Sequence, residues 1–505
     1  MQRANIGKNI SANIFSNIWL TLLLLFLTPL YILFLGVESY GLIGFYLSWI
    51  AILGILDAGI SATAVREISW LTARHEEKGK IPTLLRSLEV VYWGIILILG
   101  VGLLIGAWLI GQEWFQTKDL SPELVRNVMM LMVVSLVAQV PSGLYIGGLM
   151  ALQRQVECSA LLAFFGTVRG LGSVLVLWLI RPDIQTFFLW QIVVSILHTT
   201  VMRWSLWRRV SIDGYPAKFS LEMLKSTKGF MGAAVLIAVL GIIMAQADKM
   251  ILTRFITLEA FGFYMLAWTV ASGFSRVATP LIQAFSPRFT ELVSKGDEEA
   301  LAKQFCIASQ AMSVLIIPPA ALIFFLSEPV MFAWLSSQVA AEGSAQILAV
   351  LMLGIVLSSC SFPAVSILYS RKQLRPVVGV HLACLVVIMP LLVVTVFYFG
   401  VLGAAYIWGF YGLVQYVAFQ VYGLRGLPNT EVFSSIVNNF AIPCLVSFAV
   451  AGMAGYWLAG VSGKITFVLL FAIVLLAGWL ATLLACRDLF TTLLENLKWK
   501  VKTSL

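Results

Sequence analysis

Charge is what this sequence has least of. Only 11% of its 505 residues are Asp, Glu, Lys or Arg, against about a quarter in an ordinary soluble domain. Histidine is nearly absent, at three residues, and the six cysteines are scattered without a CxxC pair. That usage excludes a disulfide framework and a cysteine-rich metal site, and the cysteines read as small core residues. No GxxxxGK[ST] phosphate loop occurs, which excludes nucleotide hydrolysis by that route. HExxH and paired catalytic carboxylates are missing too, so neither an enzyme nor a resident cofactor is expected. The first apolar run is full length and has no small-residue cleavage site, so it is expected to remain as an uncleaved anchor.

What fills the space is hydrocarbon. Hydrophobic residues make up 60% of the chain, and the mean hydropathy is +0.95. Stretches of about 20 apolar residues recur from end to end, each long enough to cross a bilayer. Backbone groups in lipid must find partners within their own segment, so these stretches are predicted to be helices. The expectation is an all-α integral membrane protein of about fourteen spans. They are centred on residues 14–36, 40–64, 88–110, 126–150, 159–180, 184–203, 229–253, 258–285, 304–326, 344–368, 377–399, 401–422, 436–459 and 465–486.

The net charge is +9. In a soluble chain that excess would suggest nucleic acid. Here most basic residues fall in alternate loops and in the two tails, which places both termini in the cytoplasm. The segment 203–228, with Arg203, Arg208, Arg209, Lys218, Lys225, Lys228, Trp204 and Trp207, suits anionic headgroups rather than nucleic acid.

The chain also repeats itself. Glu38 and Gly41 match Glu259 and Gly262, and Glu76 and Glu77 match Asp297 and Glu298, all displaced by 221 positions (259 − 38). An even number of spans per copy gives parallel repeats, as in transporters built from two lobes.

Charges inside spans are the informative minority, because each costs about 2.5–3.5 kcal/mol at mid-bilayer. Arg276 has the best context. Thr269, Ser272, Gly273, Thr279, Pro280 and Gln283 share its face of the eighth span. A polar stripe centred on an arginine suits a wet cavity that receives an anion; the alternative is a packed seam with a carboxylate partner. Arg169 has Gly166, Gly170 and Ser173 on its face, so cavity and seam stand level. Asp57, beside Gly54 and Ser61, could neutralise an arginine, carry a coupling proton or serve as a structural ion pair. Two further stripes are Asn9, Asn13, Ser16, Asn17, Thr21 and Thr28 in the first span and Gln191, Ser195, His198 and Thr199 in the sixth. His198 reads as a hydrogen-bonded polar residue before a proton relay.

At this point two stretches resemble the polysaccharide flippases of the multidrug/oligosaccharidyl-lipid/polysaccharide exporter superfamily. One runs from Tyr40-Gly41-Leu42 through Leu56-Asp57-Ala58-Gly59 to Arg66-Glu67. The other runs from Gln246-Ala247-Asp248-Lys249 to Gly262-Phe263-Tyr264-Met265-Leu266-Ala267. Pro287-Arg288-Phe289 and Leu152-Gln153-Arg154 add to the similarity.

The resemblance implies two six-helix bundles that open alternately, followed by two extra C-terminal helices. In this sequence they would be an N-terminal lobe (1–210), a basic inter-lobe segment (211–228), a C-terminal lobe (229–425) and the added spans with a tail (426–505). It implies a bacterial cytoplasmic-membrane flippase of the O-antigen type. The substrate would be an undecaprenyl-pyrophosphate-linked oligosaccharide, with a polysaccharide polymerase and chain-length proteins as partners. Candidate cavity residues are then Arg276, Arg169, Asp57, Asn13, Asn17, Ser272, Thr279, Gln283, Gln191 and His198. Arg66 with Glu67, and Asp248 with Lys249, are candidates for gating or inter-lobe ion pairs. Two alternatives belong to the same superfamily. A peptidoglycan-precursor (lipid II) flippase, which the fourteen-span count resembles, would carry an arginine cluster in its first two helices, and the first span here has none. An ion-coupled drug or cation antiporter would favour acidic cavity residues.

Overall fold

The computed structural model describes residues 6–210, 217–226, 233–428, 431–458, 461, 463–492 and 495. Ten helices among the described residues are long and apolar enough to cross a membrane, and this is a multi-pass membrane protein. Contacts divide the chain into two compact units, Met1–Gly262 and Phe263–Leu505.

In the first unit α1 runs Ile6–Ala73, a 3-10 turn spans His75–Lys80, and α2 is Ile81–Ile110. They are followed by α3 (Pro122–Gln139), α4 (Ser142–Ala151), α5 (Gln155–Leu179), α6 (Ile184–Val210), the short α7 (Leu221–Ser226) and α8 (Ala233–Phe255). At 68 residues, α1 would stretch about 100 Å if straight, three times the hydrocarbon thickness. It is two spans joined at Gly36, whose φ of 77° lies in the left-handed region that a side chain resists. The break between α3 and α4 falls at Pro141, which has no N–H to continue the ladder. Here α1 packs on α5, α4 and α8, and α3 packs on α6 and α2. Glu38 explains one conserved-looking feature of the repeat physically: its buried carboxylate accepts the backbone N–H groups of Lys118, Asp119 and Leu120 at 2.7, 2.9 and 3.2 Å, tying down the loop after α2.

Helix α9 (Leu258–Lys295) runs across the boundary into the second unit. That unit continues with α10 (Glu298–Phe325), α11 (Ser327–Leu335), α12 (Gln338–Cys360), α13 (Phe362–Ser370) and α14 (Leu374–Gly423). It ends with α15 (Val432–Ile436), a π-helical turn (Val437–Ala441), α16 (Ile442–Leu458) and α17 (Lys464–Ala485). Like α1, α14 is two spans across a glycine, Gly400, with φ of 57°. The fourteen expected spans are thus recovered: α1 and α14 count twice, and α8 and α9 add to the rest. The latter stays outside the ten most apolar helices because Thr269, Ser272, Arg276, Thr279 and Gln283 dilute it.

Close packing in lipid relies on small residues, since helix association gains nothing from excluding water there. A Cβ at Gly354 on α12 would overlap the carbonyl of Trp408 on α14, and Gly412 meets Gly354 in turn. Gly354→Val is therefore expected to destabilise the protein by about 1–3 kcal/mol through overpacking. Thermal unfolding in detergent checks this, and an unchanged midpoint contradicts it. The terminal pair α16–α17 docks on α10 through Ala321, Leu322, Leu326, Ala451, Leu458 and Phe467. A polar clasp supports it, in which Gln310 donates to Asn439 at 3.0 Å and to Asp488 at 2.9 Å.

Candidate functional site

Each unit holds one arginine inside its spans, and the two are solvated differently. In the first unit Arg169 projects from the middle of α5. Its Nη1 donates to the Gln139 amide oxygen of α3 and to that of Gln191 on α6 at 3.3 Å, while Nη2 donates to Ser195 at 3.4 Å. The ring of partners closes on itself. Ser195 bonds Ser135 at 3.2 Å, Ser135 bonds Tyr46 at 2.7 Å, and Tyr46 donates to Gln139 at 3.2 Å. Gln191 also donates to Ser173 at 2.9 Å. Gly166 and Gly170, on the same helix, lie against Leu20, Leu23 and Leu27 of α1. The glycines therefore make the packed seam, whereas the guanidinium sits among amides and hydroxyls.

No carboxylate among the described residues lies within ion-pair distance of Arg169. Its partners among the described residues are neutral, and neutral acceptors lower the cost of burying a cation without cancelling its charge. The side chain of Asp57 falls outside the described residues, as does that of Asn9. His198 lies one turn beyond Ser195, its ring 4.9 Å from that of Phe165. The hydrogen bond expected of it is not there: neither ring nitrogen has a partner among the described residues. Asn13 and Asn17 are exposed, and Asn17 donates to the Asn13 side chain at 2.8 Å.

In the second unit Arg276 is exposed on α9 and makes no ion pair among the described residues. Along its face Thr279, Pro280 and Gln283 are also exposed, Ser272 and Gly273 are half-buried, and Thr269 is buried. Thr279 donates to the Ser275 carbonyl at 2.8 Å and Ser272 to that of Thr269 at 3.4 Å, which leaves their oxygens free to accept. Pro280 and Pro287 lie inside this helix. Proline lacks the N–H that would reach back four residues, so the carbonyls of Arg276 and Gln283 lose their usual helical donors. Both belong to the same stripe. Farther along, beyond the span, Arg288 and Lys295 are occupied by Glu291 at 2.7 and 2.5 Å, and these two cations hold its carboxyl down at about 2. Arg276 is the cation of α9 left uncompensated.

Farther along the helix a cavity of about 470 Å³ lies between α9 and α13, lined by Ile282, Ser286 and Thr290 on one side and Phe362, Val365, Ser366, Tyr369, Ser370 and Lys372 on the other. Two hydroxyl pairs cross it, Ser286 with Ser366 at 2.7 Å and Thr290 with Ser370 at 3.1 Å. Sequence reasoning missed the α13 side, although Ser366 and Ser370 stand four apart on one helical face. Hydroxyls beside an aromatic ring offer the bonds and the flat apolar wall that a sugar uses.

The remaining candidates pair locally. Arg66 meets Glu67 at 3.5 Å on α1. Asp248 and Lys249 on α8 meet at 3.0 Å with side chains only 3% and 1% exposed, and Lys249 also donates to the Ala245 carbonyl at 2.8 Å. Of the basic segment 203–228, residues 211–216 and 227–232 lie outside those described. No group of His, Cys, Asp and Glu that could hold a metal ion occurs among the described residues.

Comparison with known proteins gives a consistent picture. The family model described as "Polysaccharide biosynthesis protein" matches residues 6–293. No curated protein matches the sequence. Among solved structures, the lipid II flippase MurJ in an inward closed conformation is 14% identical, with a TM-score of 0.74 over 95% of this chain and 99% of that one. An inward-facing multidrug resistance transporter of the MATE family and MOP superfamily is 15% identical, with a TM-score of 0.62 over 85% and 95%. The Vibrio cholerae MATE transporter VcmN, in a mutant form, is 13% identical, with a TM-score of 0.54 over 85% and 98%. Likeness at these identities establishes a shared fold.

Proposed function

Because the chain belongs to the polysaccharide biosynthesis protein family, we propose that it is a flippase for lipid-linked oligosaccharide. It carries undecaprenyl-pyrophosphate-linked repeat units from the cytoplasmic to the outer leaflet of the bacterial cytoplasmic membrane by alternating access. The protein lies with both termini in the cytoplasm and hands its cargo to a polysaccharide polymerase and chain-length proteins. The observation that carries this reading is the exposed Arg276, which makes no ion pair among the described residues and shares its helix face with Ser272, Thr279 and Gln283, with a cavity crossed by two hydroxyl pairs farther along the same helix. A guanidinium offers a diphosphate two parallel donors, and the hydroxyls and freed carbonyls suit the sugar.

The fold itself serves flippases and drug antiporters alike, so charge decides between them. A cation antiporter calls for carboxylates in its cavity, whereas Arg169 and Arg276 make no ion pair among the described residues, which favours the flippase. Cells lacking the protein should accumulate lipid-linked repeat units on the cytoplasmic leaflet. Normal surface polysaccharide in a strain with no second flippase overturns the reading.

The α13 hydroxyls contribute less than the arginine. Ser366→Ala with Ser370→Ala is expected to slow transport about 5- to 30-fold, as the loss of two neutral hydrogen bonds of about 0.5–1 kcal/mol each implies. Flipping by everted vesicles measures it, and a rate equal to wild type removes this cavity from the sugar path.

A further inference from the structure

A second anion site stands apart from both stripes, at the polar end of α2 in the first unit. Glu89 is buried there and is gripped by three donors: Arg203 Nε at 2.5 Å, Tyr145 Oη at 2.7 Å and Arg86 Nη1 at 2.9 Å. One carboxylate faces two arginines, so the cluster is net positive by one charge. Both arginines are close to half exposed, and the Arg203 guanidinium, which meets Glu89 through Nε, also lies 5.9 Å from the ring of Trp207. With Val90 and Trp93 these residues line a cavity of about 310 Å³. Trp93 is fixed by donating to Tyr145 at 3.2 Å. The segment before α7 adds a further cation, Lys218, and is tied to this end of α2 by the Ser220 N–H to Ser87 at 2.8 Å.

The identity of the ligand follows from what continues out of the cavity. Arg86, Val90, Leu97, Val101 and Trp108 recur at helical spacing on one face of α2, and all four apolar members are exposed. A cationic pocket at the foot of a lipid-facing stripe, on the end of the bundle that carries Arg74, Lys78 and Lys80, has the form of a head and its tail. Trp204, on the same helix as Arg203, is exposed beneath the guanidinium of Arg208 at 5.3 Å, the kind of residue found at membrane interfaces.

We propose that this cluster binds the phosphate of an anionic bilayer phospholipid, with an acyl chain lying along α2. The site is independent of which cargo the protein moves. It holds the lipid on the charge-rich face of the first unit, where it anchors the segment leading to α7.

Native mass spectrometry of the full chain in detergent tests this, with phosphatidylglycerol, phosphatidylcholine, undecaprenyl phosphate and inorganic phosphate as probes. Wild type should retain phosphatidylglycerol over phosphatidylcholine. Arg86→Gln should weaken that retention about fivefold, the effect of one basic residue near a membrane surface. Val90→Glu, which places a carboxylate at the mouth one helical turn from Arg86, should abolish the preference. Equal retention of the two phospholipids, or a Val90→Glu variant that behaves as wild type, overturns the proposal. So does displacement of phosphatidylglycerol by undecaprenyl phosphate, which would assign the pocket to cargo, or by inorganic phosphate, which would leave the apolar stripe without a role.

Discussion

Arg276→Ala will lower flipping of the lipid-linked sugar by about 100-fold while leaving the protein folded. A charge-assisted hydrogen bond is worth about 1.5–3 kcal/mol, so two at the low end sum to about 3 kcal/mol, on the order of 100-fold. Folding is spared because Arg276 is exposed and makes no ion pair among the described residues, so truncation orphans no carboxylate. Arg276→Lys keeps the charge but loses the planar fork, and should restore part of the rate. Arg276→Glu repels a diphosphate and should be as poor as alanine or worse. A reconstituted assay that follows a fluorescent lipid-linked sugar measures all three. An alanine variant that flips at the wild-type rate removes the arginine from the path and the function proposed on it.

Arg169 makes an instructive contrast. Its guanidinium is held by Gln139, Gln191 and Ser195, and those groups are tied in turn to Ser135, Tyr46 and Ser173. Removing it would leave several half-buried polar atoms without partners, so stability and transport should fall together. A loss of transport there is weaker evidence for contact with cargo than the same loss at Arg276.

How much of this was legible beforehand depends on whether the signal was periodic or tertiary. The spans 14–36 and 40–64 meet at Gly36, and 377–399 meets 401–422 at Gly400, because hydropathy dips where a glycine permits the kink. The Arg276 stripe was equally visible, since every member recurs at helical spacing on one segment. The partners of Arg169 were not: Gln139 lies 30 residues away on another helix, in the middle of a span (126–150) that reads as plainly apolar. Glu89 and Arg203 are 114 residues apart. Each looked like an ordinary charge at a span boundary, and only the packing of α2 near α6 and α4 makes them one cluster. Ser366 and Ser370 escaped for the same reason. A pair of serines in a membrane helix is unremarkable until α9 sets Ser286 and Thr290 opposite them.

The Asp248–Lys249 pair gives the other large effect. Both side chains are almost wholly buried and meet at 3.0 Å, so removing one partner leaves the other buried without this counter-charge. Lys249→Ala should cost about 3–5 kcal/mol of stability, seen as a loss of folded protein on extraction and a fall in thermal midpoint. Restoring neutrality rather than the pair should recover the fold: the double variant Asp248→Asn with Lys249→Met is expected to be as stable as wild type or more so, because no charge then needs desolvating. That stable variant also separates two roles that single substitutions confound. A pair that gates the cycle must exchange partners between states, so the neutral variant will fold yet move cargo more slowly. Transport at the wild-type rate from the same variant assigns the pair to packing of α8 alone. A double variant as unstable as Lys249→Ala contradicts the desolvation argument itself.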